Sequence, residues 1–557
     1  MRNPLSEMRR SRKILAAVAV LLLAAGAYTY IAYGGDRHVR SELVAGVDTA
    51  GLGPAARGAS IFYGDDFGGL GTAALETHAV PWRLTAAALV LDARDRNPAL
   101  PANEESLRSI LSGFGFLFPK EIGNWPAEVR RVRSSLPLGM THGRLGLLPG
   151  LDAEIANLGC SACHGGVTYD SVGLPRPDRA WLGMPNSSLD LEAYVMTVFR
   201  AIRATADRPD ELLATADNLF PDMDGRERFA LRRLILPRVR KRMTELEALG
   251  RPTPFPNGSP GNTNGVAALK QALGVPLLGG GPGDAGITSI PDLGHRTWRT
   301  SLLYDGAYAV PGAPRRREMR AGDVTPTHRA SLGAIMTFFT VPSMGVHPDK
   351  AIGRLDDAEA VMAFLDSYRP QPYPGPVDRA AAARGSALYA RDCAACHGRY
   401  EGLAPPRLVS FPNWIGQVGT DPLRARAFDR ALVSAVARSA YRQKIAAAAT
   451  GAYAAPPLTG LWASAPYLHN GSVPTIAALL DPPARPARFV AGGHRLDFAT
   501  LGIALAPDGR YPAGYRPWSR PAMSDASALG RSNRGHEYGS QLSAEERRAL
   551  IEYLKLL

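Results

Sequence analysis

The sequence predicts a mainly α-helical fold of two domains with long loops, preceded by an N-terminal transmembrane helix. Three observations give this prediction: an apolar run near the start, several stretches with apolar residues at helical spacing, and a short motif that occurs twice. Of the 557 residues, 45% are hydrophobic and 21% are charged, which excludes a disordered or polytopic membrane protein. The 58 glycines and 46 prolines indicate long connections between short elements.

The first predicted element is an uncharged apolar run from Ile14 to Tyr33, which follows a basic start. About twenty apolar residues can cross a bilayer as one helix, whereas the apolar core of a cleavable signal peptide is usually shorter. We therefore expect residues 1–35 to be a membrane anchor, with a cleaved signal segment as the alternative. In either case the rest of the chain is exported.

Residues 36–103 are rich in glycine and alanine and are predicted to be a tether and lead-in, with a helix near Leu84 to Arg94. From Glu104 onward, apolar residues recur at helical spacing and predict the start of the first domain, residues 104–370.

A helix is predicted from Asp356 to Tyr368, and the proline-rich stretch from Pro370 to Pro376 ends it. This stretch is the predicted domain boundary. The second domain, residues 377–557, is expected to begin with a helix from Ala380 to Arg391 and to close with one from Ser543 to Leu557.

All four cysteines fall in two copies of one motif, Cys160-Ser161-Ala162-Cys163-His164 and Cys393-Ala394-Ala395-Cys396-His397. This spacing lets two thiols from one turn form thioethers with one haem, while the adjacent imidazole reaches the iron. A redox-active thiol pair, a zinc site or a disulfide does not account for a histidine at the same offset in both copies. The sequence therefore predicts two covalently bound c-type haems, with His164 and His397 as proximal ligands.

Haem is attached to such motifs on the outer side of the bacterial cytoplasmic membrane, in agreement with export. The expected location is the periplasmic side of that membrane, with the N-terminal segment as anchor, or the periplasm after cleavage.

A second pattern repeats downstream of each motif. Pro291-x-Leu293 and Leu303-Tyr304-Asp305-Gly306 align without a gap with Pro456-x-Leu458 and Leu468-His469-Asn470-Gly471. The alignment predicts two related haem modules, the first enlarged by an insertion between His164 and Pro291.

These motifs resemble the bacterial di-haem cytochrome c peroxidase superfamily, and within it the branch that contains the di-haem rubber oxygenase. Besides the haem motifs, the resemblance rests on three segments, residues 298–306, 465–472 and 535–539. It covers about residues 104–557 and implies two mainly helical cytochrome c-type domains packed face to face, with electrons passing between the haems.

The sixth ligand of the second haem is expected to be His536, because it precedes the final helix in the loop that usually closes a cytochrome c pocket. The resemblance points to the same residue. His469 is the alternative, although a histidine in its segment can instead line a propionate or the domain interface. Met523 is the only methionine after Cys396, so a bis-histidine centre is favoured over a methionine-ligated one.

For the first haem, Met344 and His347 occupy the corresponding loop before the helix at Asp356, so either could be a ligand. The resemblance implies instead that this haem is the reactive one and keeps an open sixth position. Both readings stay open.

The predicted function is that of an exported oxidoreductase, which reacts with hydrogen peroxide or dioxygen at one haem and transfers electrons through the other. A non-catalytic electron carrier and an oxygenase that cleaves an apolar substrate are the alternatives. No acid–base residue is identified. The expected partners are a redox protein or quinol-linked electron donor, a small oxidant, and the membrane through the N-terminal segment.

Two weaker signals concern other ligands. The formal net charge is +13, but the arginines are scattered and no nucleic-acid motif accompanies them, so no nucleic-acid partner is expected. The segment Asp222-Met223-Asp224-Gly225 resembles the start of a calcium loop, although the remaining ligands are missing and a turn is the alternative. Calcium therefore stays a second candidate ligand.

Overall fold

A computed structural model shows the fold of this protein. It describes residues 13–26, 39–41, 51–65, 80–130, 135–148, 150–248, 251–277, 286–343 and 348–557.

The helices alternate with many short strands. Besides residues 13–26, the α-helices are Pro54–Ser60, Trp82–Arg96, Glu104–Gly113, Cys160–Cys163, Leu191–Thr205, Pro209–Leu219, Gly225–Ala230, Leu236–Glu247, Gly265–Ala272, Pro326–Ser343, Pro348–Ala351, Leu355–Ser367, Arg379–Asp392, Ala394–His397, Leu423–Ala427, Arg430–Arg438, Ile476–Leu480 and Ala544–Leu554. Short 3₁₀ or π turns lie at Ile61–Asp65, Leu231–Ile235, Arg296–Trp298, Ala321–Asp323, Ile352–Arg354, Leu461–Ala463 and Pro482–Ala484.

The strands are Val39–Ser41, Val80–Pro81, Glu121–Ile122, Met140–Leu148, Leu151–Leu158, Gly165–Tyr169, Pro175–Leu182, Asn262–Thr263, Thr288–Ser289, Ser301–Leu302, Tyr308–Ala309, Arg399–Glu401, Arg407–Ser410, Ile415–Gly416, Ala446–Ala447, Tyr453–Ala454, Arg488–Ala491, Leu496–Asp497, Gly502–Ile503 and Ala522–Asp525. Most pair in two- or three-stranded sheets, and the largest sheet has four strands around the hairpin of Met140–Leu148 with Leu151–Leu158.

The predicted mainly α-helical fold class is wrong, because about 42% of the chain is helical and 15% is in strands. Glycine- and proline-rich segments that were expected to be irregular instead pair backbone groups in short antiparallel ladders. Such pairing satisfies buried N–H and C=O groups that an irregular loop would leave without partners.

The predicted N-terminal transmembrane helix is also contradicted. Among the described residues, no helix has both the length and the apolar composition needed to cross a membrane. The described part of the apolar run, residues 13–26, is helical.

The other predicted helices form with small shifts at their ends. Leu84 to Arg94 lies inside the helix Trp82–Arg96, which is buried over most of its length. The predicted helix from Asp356 becomes Leu355–Ser367, and the one from Ala380 becomes Arg379–Asp392, capped by the Asp378 carboxylate.

The C-terminal helix Ala544–Leu554 begins with a capping box, in which Ser543 and Glu546 satisfy each other's backbone N–H groups. It packs on Arg379–Asp392 so closely that a Cβ at Gly385 would lie 2.0 Å from the Ala549 carbonyl oxygen. A glycine is therefore required where these helices cross.

Apolar side chains form two large clusters. One draws on residues 59–557 and contains side chains from both sequence halves, among them Tyr308 and Trp462. The other is confined to residues 82–236 and is built around Trp82–Arg96 and Leu191–Thr205. The two cysteine motifs lie beside these clusters, since Cys160 and Cys393 pack against the first and Cys163 against the second.

Candidate haem centres

The first site contains Cys160, Cys163 and His164. The strand Leu151–Leu158 leads into a single helical turn, Cys160–Cys163, and His164 follows it. The chain at Gly139 passes so close that a Cβ there would lie 1.8 Å from the Ala162 backbone nitrogen, and its φ is +78°. The turn that carries both thiols is thereby held against the hairpin.

The His164 ring is oriented by a backbone carbonyl. Its Nδ1 lies 3.1 Å from the oxygen of Pro291, so Nδ1 carries the proton and Nε2 is left as the nitrogen able to bind a metal. Burial, with a smaller effect from the nearby Arg296 charge, lowers the pKa of His164 to about 4. A neutral imidazole with a free Nε2 is the state in which histidine binds iron.

The second site contains Cys393, Cys396 and His397. The helix Arg379–Asp392 ends at Cys393, and a second short helix, Ala394–His397, carries the other thiol and the imidazole. The Nδ1 of His397 lies 2.8 Å from the Pro456 oxygen, and burial lowers the pKa of His397. The ring is therefore oriented in the same way as that of His164.

The two sites share a backbone repeat with a constant offset of 165 positions, which separates Pro291 from Pro456. His295 and its counterpart Gly460 both have left-handed backbones, with φ of 54° and 55°, and each precedes a 3₁₀ turn. Four further positions share positive φ in pairs: Leu303 with Leu468, at 71° and 64°, and Gly306 with Gly471, at 61° and 62°. The sequence repeat is thus a repeat of structure.

The two modules contact each other reciprocally. The N–H of Ser289 donates to the carbonyl of His469 at 2.6 Å, and the N–H of Ala454 donates to the carbonyl of Tyr304 at 2.8 Å. Ser289 and Ala454 are 165 positions apart, as are Tyr304 and His469. Each module therefore gives the other the same pair of contacts, the pattern of a two-fold interface.

A cavity of about 940 Å³ opens directly on the first site, and Cys160, Cys163 and His164 form part of its wall. The remaining wall is mainly apolar, and the helices Leu191–Thr205 and Leu236–Glu247 contribute part of it. This volume lies at the upper end of the usual range for ligand pockets, about 300–1,000 Å³.

Buried guanidinium groups lie along the inner wall. Arg299 is buried and Arg296 is half-buried; neither has a carboxylate within salt-bridge distance in the described part of the chain, and the buried Nε of Arg296 has no hydrogen-bond partner there. Burial lowers the pKa of Arg299 to about 9, since its charge is poorly compensated. The haem propionates are carboxylates of the kind that would complete these two groups, so the residues present fit a haem.

Arg424 also lines the cavity, but it already has a partner. Its guanidinium donates to Asp305 at 2.7 Å, and both side chains are almost fully buried, with 3% and 1% exposure. This ion pair joins the first module to the helix Leu423–Ala427 of the second half.

His536 faces His397, with ring centres 6.1 Å apart. An imidazole nitrogen binds a metal at about 2.0–2.1 Å, so two rings on opposite sides of one ion have centres about 6 Å apart. The loop is fixed by the His536 N–H, which donates to Val418 at 2.7 Å, and by Arg485, which donates to the His536 carbonyl at 3.2 Å. The His536 Nδ1 is buried with no hydrogen-bond partner within the described residues.

His469 has a different environment. Its Nε2 lies 3.0 Å from the Tyr453 hydroxyl, and its ring packs on the Tyr453 ring at 4.3 Å. Burial lowers the pKa of His469 to about 3, and the Arg424 and Arg531 charges add to this. His469 lies at the contact between the modules. The sequence analysis gave a position at this interface as the alternative to iron binding.

The remaining candidates are placed as follows. Met344 and His347 lie outside the described residues. Met523 is 41% exposed on the strand Ala522–Asp525. Among the side chains that the structure describes, no other group of three His, Cys, Asp or Glu could hold a metal ion.

The segment considered for calcium is occupied by other contacts. Asp222 accepts a hydrogen bond from Arg83 at 2.7 Å, and Asp224 caps the helix Gly225–Ala230 by accepting from the Glu227 N–H. The segment from Asp222 to Gly225 therefore fits the alternative prediction, a turn, better than a calcium loop.

Sequence reasoning missed the cationic wall of the first site. Arg296 lies just before the segment of residues 298–306 and Arg299 lies within it, and that position was the only available signal. Arg424 could not be found, because its role depends on a contact with Asp305 across 119 positions.

Comparison with known proteins gives two findings. A family model described as RoxA-like, cytochrome c-like matches residues 452–490, which include His469. Two uncharacterized proteins of Sinorhizobium fredii (strain NBRC 101917 / NGR234) are similar to the chain. One, y4iM, is 32% identical over 238 residues, with 35% of this chain and 52% of the relative covered. The other, y4iJ, is 30% identical over 246 residues, with 33% and 40% covered.

The chain thus spans about half the length of the curated relatives that it matches. The match to the RoxA-like model supports a cytochrome c-like domain, a c-type haem and a haem-containing protein of the oxidoreductase type.

Proposed function

We propose that the chain is an exported di-haem c-type oxidoreductase, in which the first site reacts with dioxygen or hydrogen peroxide and the second transfers electrons to it. The observation that carries the proposal is the asymmetry of the two sites. His164 opens on a cavity of about 940 Å³, whereas His397 is faced by His536 at 6.1 Å.

In this proposal, Cys160 and Cys163 hold one haem and Cys393 and Cys396 the other, with His164 and His397 as proximal ligands. When bound, haem supplies an iron that binds and reduces oxygen species and exchanges single electrons. The Pro291 and Pro456 carbonyls orient the two imidazoles by accepting hydrogen bonds from their Nδ1–H groups. His536 is proposed as the sixth ligand that closes the second site.

Arg296 and Arg299 are proposed to bind the propionates of the first haem, since both cations line its cavity and neither pairs with a carboxylate in the described part of the chain. Tyr304 is the polar group proposed to stabilise a bound oxidant. Tyr304 lines the cavity, and its hydroxyl lies 3.0 Å from both the Oγ and the carbonyl oxygen of Ser289.

Oxidation of an apolar organic substrate is a second candidate for the reaction at the first site. It is favoured by the cavity wall, where Val198, Phe199 and Ile202 face Val239 and Leu246. Such a wall would surround the haem itself, and its apolar side chains would also suit an organic molecule that approaches the haem.

Electron supply and location are part of the proposal. A redox protein or a quinol-linked donor would reduce the second site, whose haem lies in the module that is closed to substrate. The periplasmic side of the cytoplasmic membrane is proposed as the location, because haem is attached there to cysteine motifs of this kind.

The test measures the rate of oxidation of the fully reduced holoprotein. The protein is reduced and kept without oxygen, and it is then mixed rapidly with hydrogen peroxide or with dioxygen. One peroxide takes up two electrons and two protons and gives two waters, so one equivalent should oxidise both haems of one chain. A Cys160→Ala/Cys163→Ala variant, which keeps the second haem, should react at least a hundredfold more slowly. Equal rates in this variant and the wild type, or no reaction with either oxidant, would refute the proposal.

A further inference from the structure

Asp292 is a buried carboxyl group that forms no salt bridge in the described part of the chain. It is 6% exposed and has two polar contacts. Its Oδ1 accepts from the Gly294 N–H at 2.8 Å, and its Oδ2 accepts from the Tyr368 hydroxyl at 2.7 Å. A buried carboxylate without a counter-charge is costly, so the protonated form gains. Burial accordingly raises the pKa of Asp292 to about 7, although both hydrogen bonds and the Arg296 charge act in the opposite direction.

The position of Asp292 in the chain places it beside the ligand of the first haem. It directly follows Pro291, whose carbonyl oxygen lies 3.1 Å from His164 Nδ1. A second connection runs through the backbone, because the Leu293 N–H donates to the Gly183 carbonyl at 2.9 Å and the Gly183 N–H donates to the His164 carbonyl at 2.7 Å. The segment that carries the carboxyl group is therefore fixed to the haem motif on both sides of Asp292.

Few charges face the Asp292 carboxyl group. The Arg296 guanidinium donates to the backbone carbonyl of Asp292 at 2.6 Å, and the contact with the carboxyl group itself comes from Tyr368. Burial and the neighbouring carboxylate raise the pKa of Tyr368, so its hydroxyl stays protonated and donates. The second module contributes only the uncharged Gly460, where a Cβ would lie 2.5 Å from Asp292 Oδ2, and Thr459 beside it. The protonation of Asp292 therefore depends strongly on any change of charge nearby.

The second module builds the same turn without these charges. At the offset of 165 positions, Pro457 corresponds to Asp292 and Leu461 corresponds to Arg296. The turn keeps its backbone, since His295 and its counterpart Gly460 share a left-handed conformation. The carboxyl group is thus not needed to form the turn, and it belongs to the first module.

We propose that the Asp292 carboxyl group takes up one proton from solvent when an electron enters the first haem, and returns it when that electron leaves. An added electron makes the neighbourhood more negative, which disfavours a carboxylate there. The iron gains one electron and the carboxylate becomes a carboxyl group, so the charge of the site is unchanged. This inference rests on the proposed function for the haem at His164, and it adds that electron and proton arrive together.

The test is the reduction potential of the first haem as a function of pH. Both potentials of the holoprotein are measured by spectroelectrochemical titration between about pH 5 and pH 9. The transition that is missing from Cys160→Ala/Cys163→Ala belongs to the first haem. Its potential should fall as the pH rises, because ionised Asp292 favours the oxidised iron. The reduction equilibrium constant should change by up to about tenfold per pH unit, which is about 59 mV for one electron. A potential that stays constant over this range would overturn the inference.

A matched pair of variants locates the proton. Asp292→Asn keeps the size and the acceptor for Gly294 but cannot exchange a proton. Its first-haem potential should stay near the low-pH value of the wild type at every pH. Asp366→Asn is the control, because Asp366 is 35% exposed and pairs with Arg329 at 3.2 Å. It should keep the wild-type dependence on pH. If Asp292→Asn keeps that dependence, the haem propionates or other groups take up the proton and the inference fails. Equal loss in both variants would also overturn it.

Tyr368→Phe tests the direction of the effect. It removes a hydrogen bond that stabilises the ionised form of Asp292, so the fall in potential should move to higher pH. A purely structural contact between Asp292 and Tyr368 would lower stability without moving this range. An unchanged range, or a shift to lower pH, at a haem content of two per chain would contradict the inference. This measurement remains decisive if Asp292→Asn does not fold.

Two outcomes separate this inference from the proposed function. A potential that depends on pH through Asp292, in a protein that reacts with neither hydrogen peroxide nor dioxygen, would refute the proposed function and leave the inference standing. Rapid reaction with an oxidant in a protein whose first-haem potential does not change with pH would refute the inference alone.

Discussion

Ser289 and His469 are joined by a backbone hydrogen bond of 2.6 Å, although 180 positions separate them. Their counterparts, Ala454 and Tyr304, are joined in the opposite direction at 2.8 Å. Two sequence-related modules therefore meet around a local two-fold axis, and the rings of Tyr304 and His469 lie 6.5 Å apart beside it. The contacts between the modules are symmetric, whereas the sites at His164 and His397 differ, and the predictions below depend on this difference.

Covalent attachment depends on both cysteines of each motif. Changing Cys163 or Cys396 to alanine removes one thioether and should lower the covalent haem content. Haem-stained denaturing gels and pyridine-haemochrome assays measure this directly. Two normally attached haems in either variant would refute the cofactor assignment.

His536 and His469 should differ in their effect on the second haem. His536→Ala should open that iron, raise its reduction potential as the donor imidazole is lost, and give a new high-spin signal in electron paramagnetic resonance. His469→Ala should leave the second haem low-spin, because the His469 Nε2 interacts with Tyr453. The opposite pair of spectra would transfer the ligand role to His469.

The loop that carries His536 should be sensitive to its glycine. A Cβ at Gly535 would lie 2.2 Å from the Gly419 backbone carbon, so Gly535→Ala must displace the loop and should give a partly high-spin second haem. Gly514→Ala is the matched control, because φ is also positive there, at +82°, but a Cβ would meet nothing within 4 Å. A new high-spin signal from the second haem in both variants, or in neither, would argue against this role of the loop.

The ion pair between Asp305 and Arg424 should be important for stability. Asp305→Asn leaves a buried guanidinium without its counter-charge and should lower the free energy of unfolding by about 3–5 kcal/mol. The exposed pair of Arg399 with Glu401, at 3.4 Å and 64% and 52% exposure, provides the control. Glu401→Gln should cost less than about 1 kcal/mol. Denaturant titrations that show similar losses in the two variants would contradict the assigned burial.

Local sequence patterns predicted the helices well, because their apolar spacing and caps lie within each segment. Ser543 and Glu546 are three positions apart, and the cap of Ala544–Leu554 follows from them alone. The short strands could not be predicted in this way. Ser301–Leu302 is a strand only because Tyr308–Ala309 pairs with it and in turn meets Ala446–Ala447 from the other half.

The haem sites likewise combine features that depend on local sequence with features that depend on distant contacts. The motifs at His164 and His397 carry their cofactor chemistry in five adjacent residues, and the repeat that places Pro291 and Pro456 could be read as an alignment. The cavity could not be predicted, because its wall combines side chains that lie far apart in the sequence, from Phe62 to Pro456.

Titration of the anaerobically reduced holoprotein with carbon monoxide tests the central claim, an open first site and a closed second site. The account predicts that one haem of the two binds carbon monoxide in the wild type, and that both bind it in His536→Ala. Binding to neither haem of the wild type would mean that both irons are closed and would favour an electron carrier. Binding to both haems of the wild type would show that His536 does not close the second site.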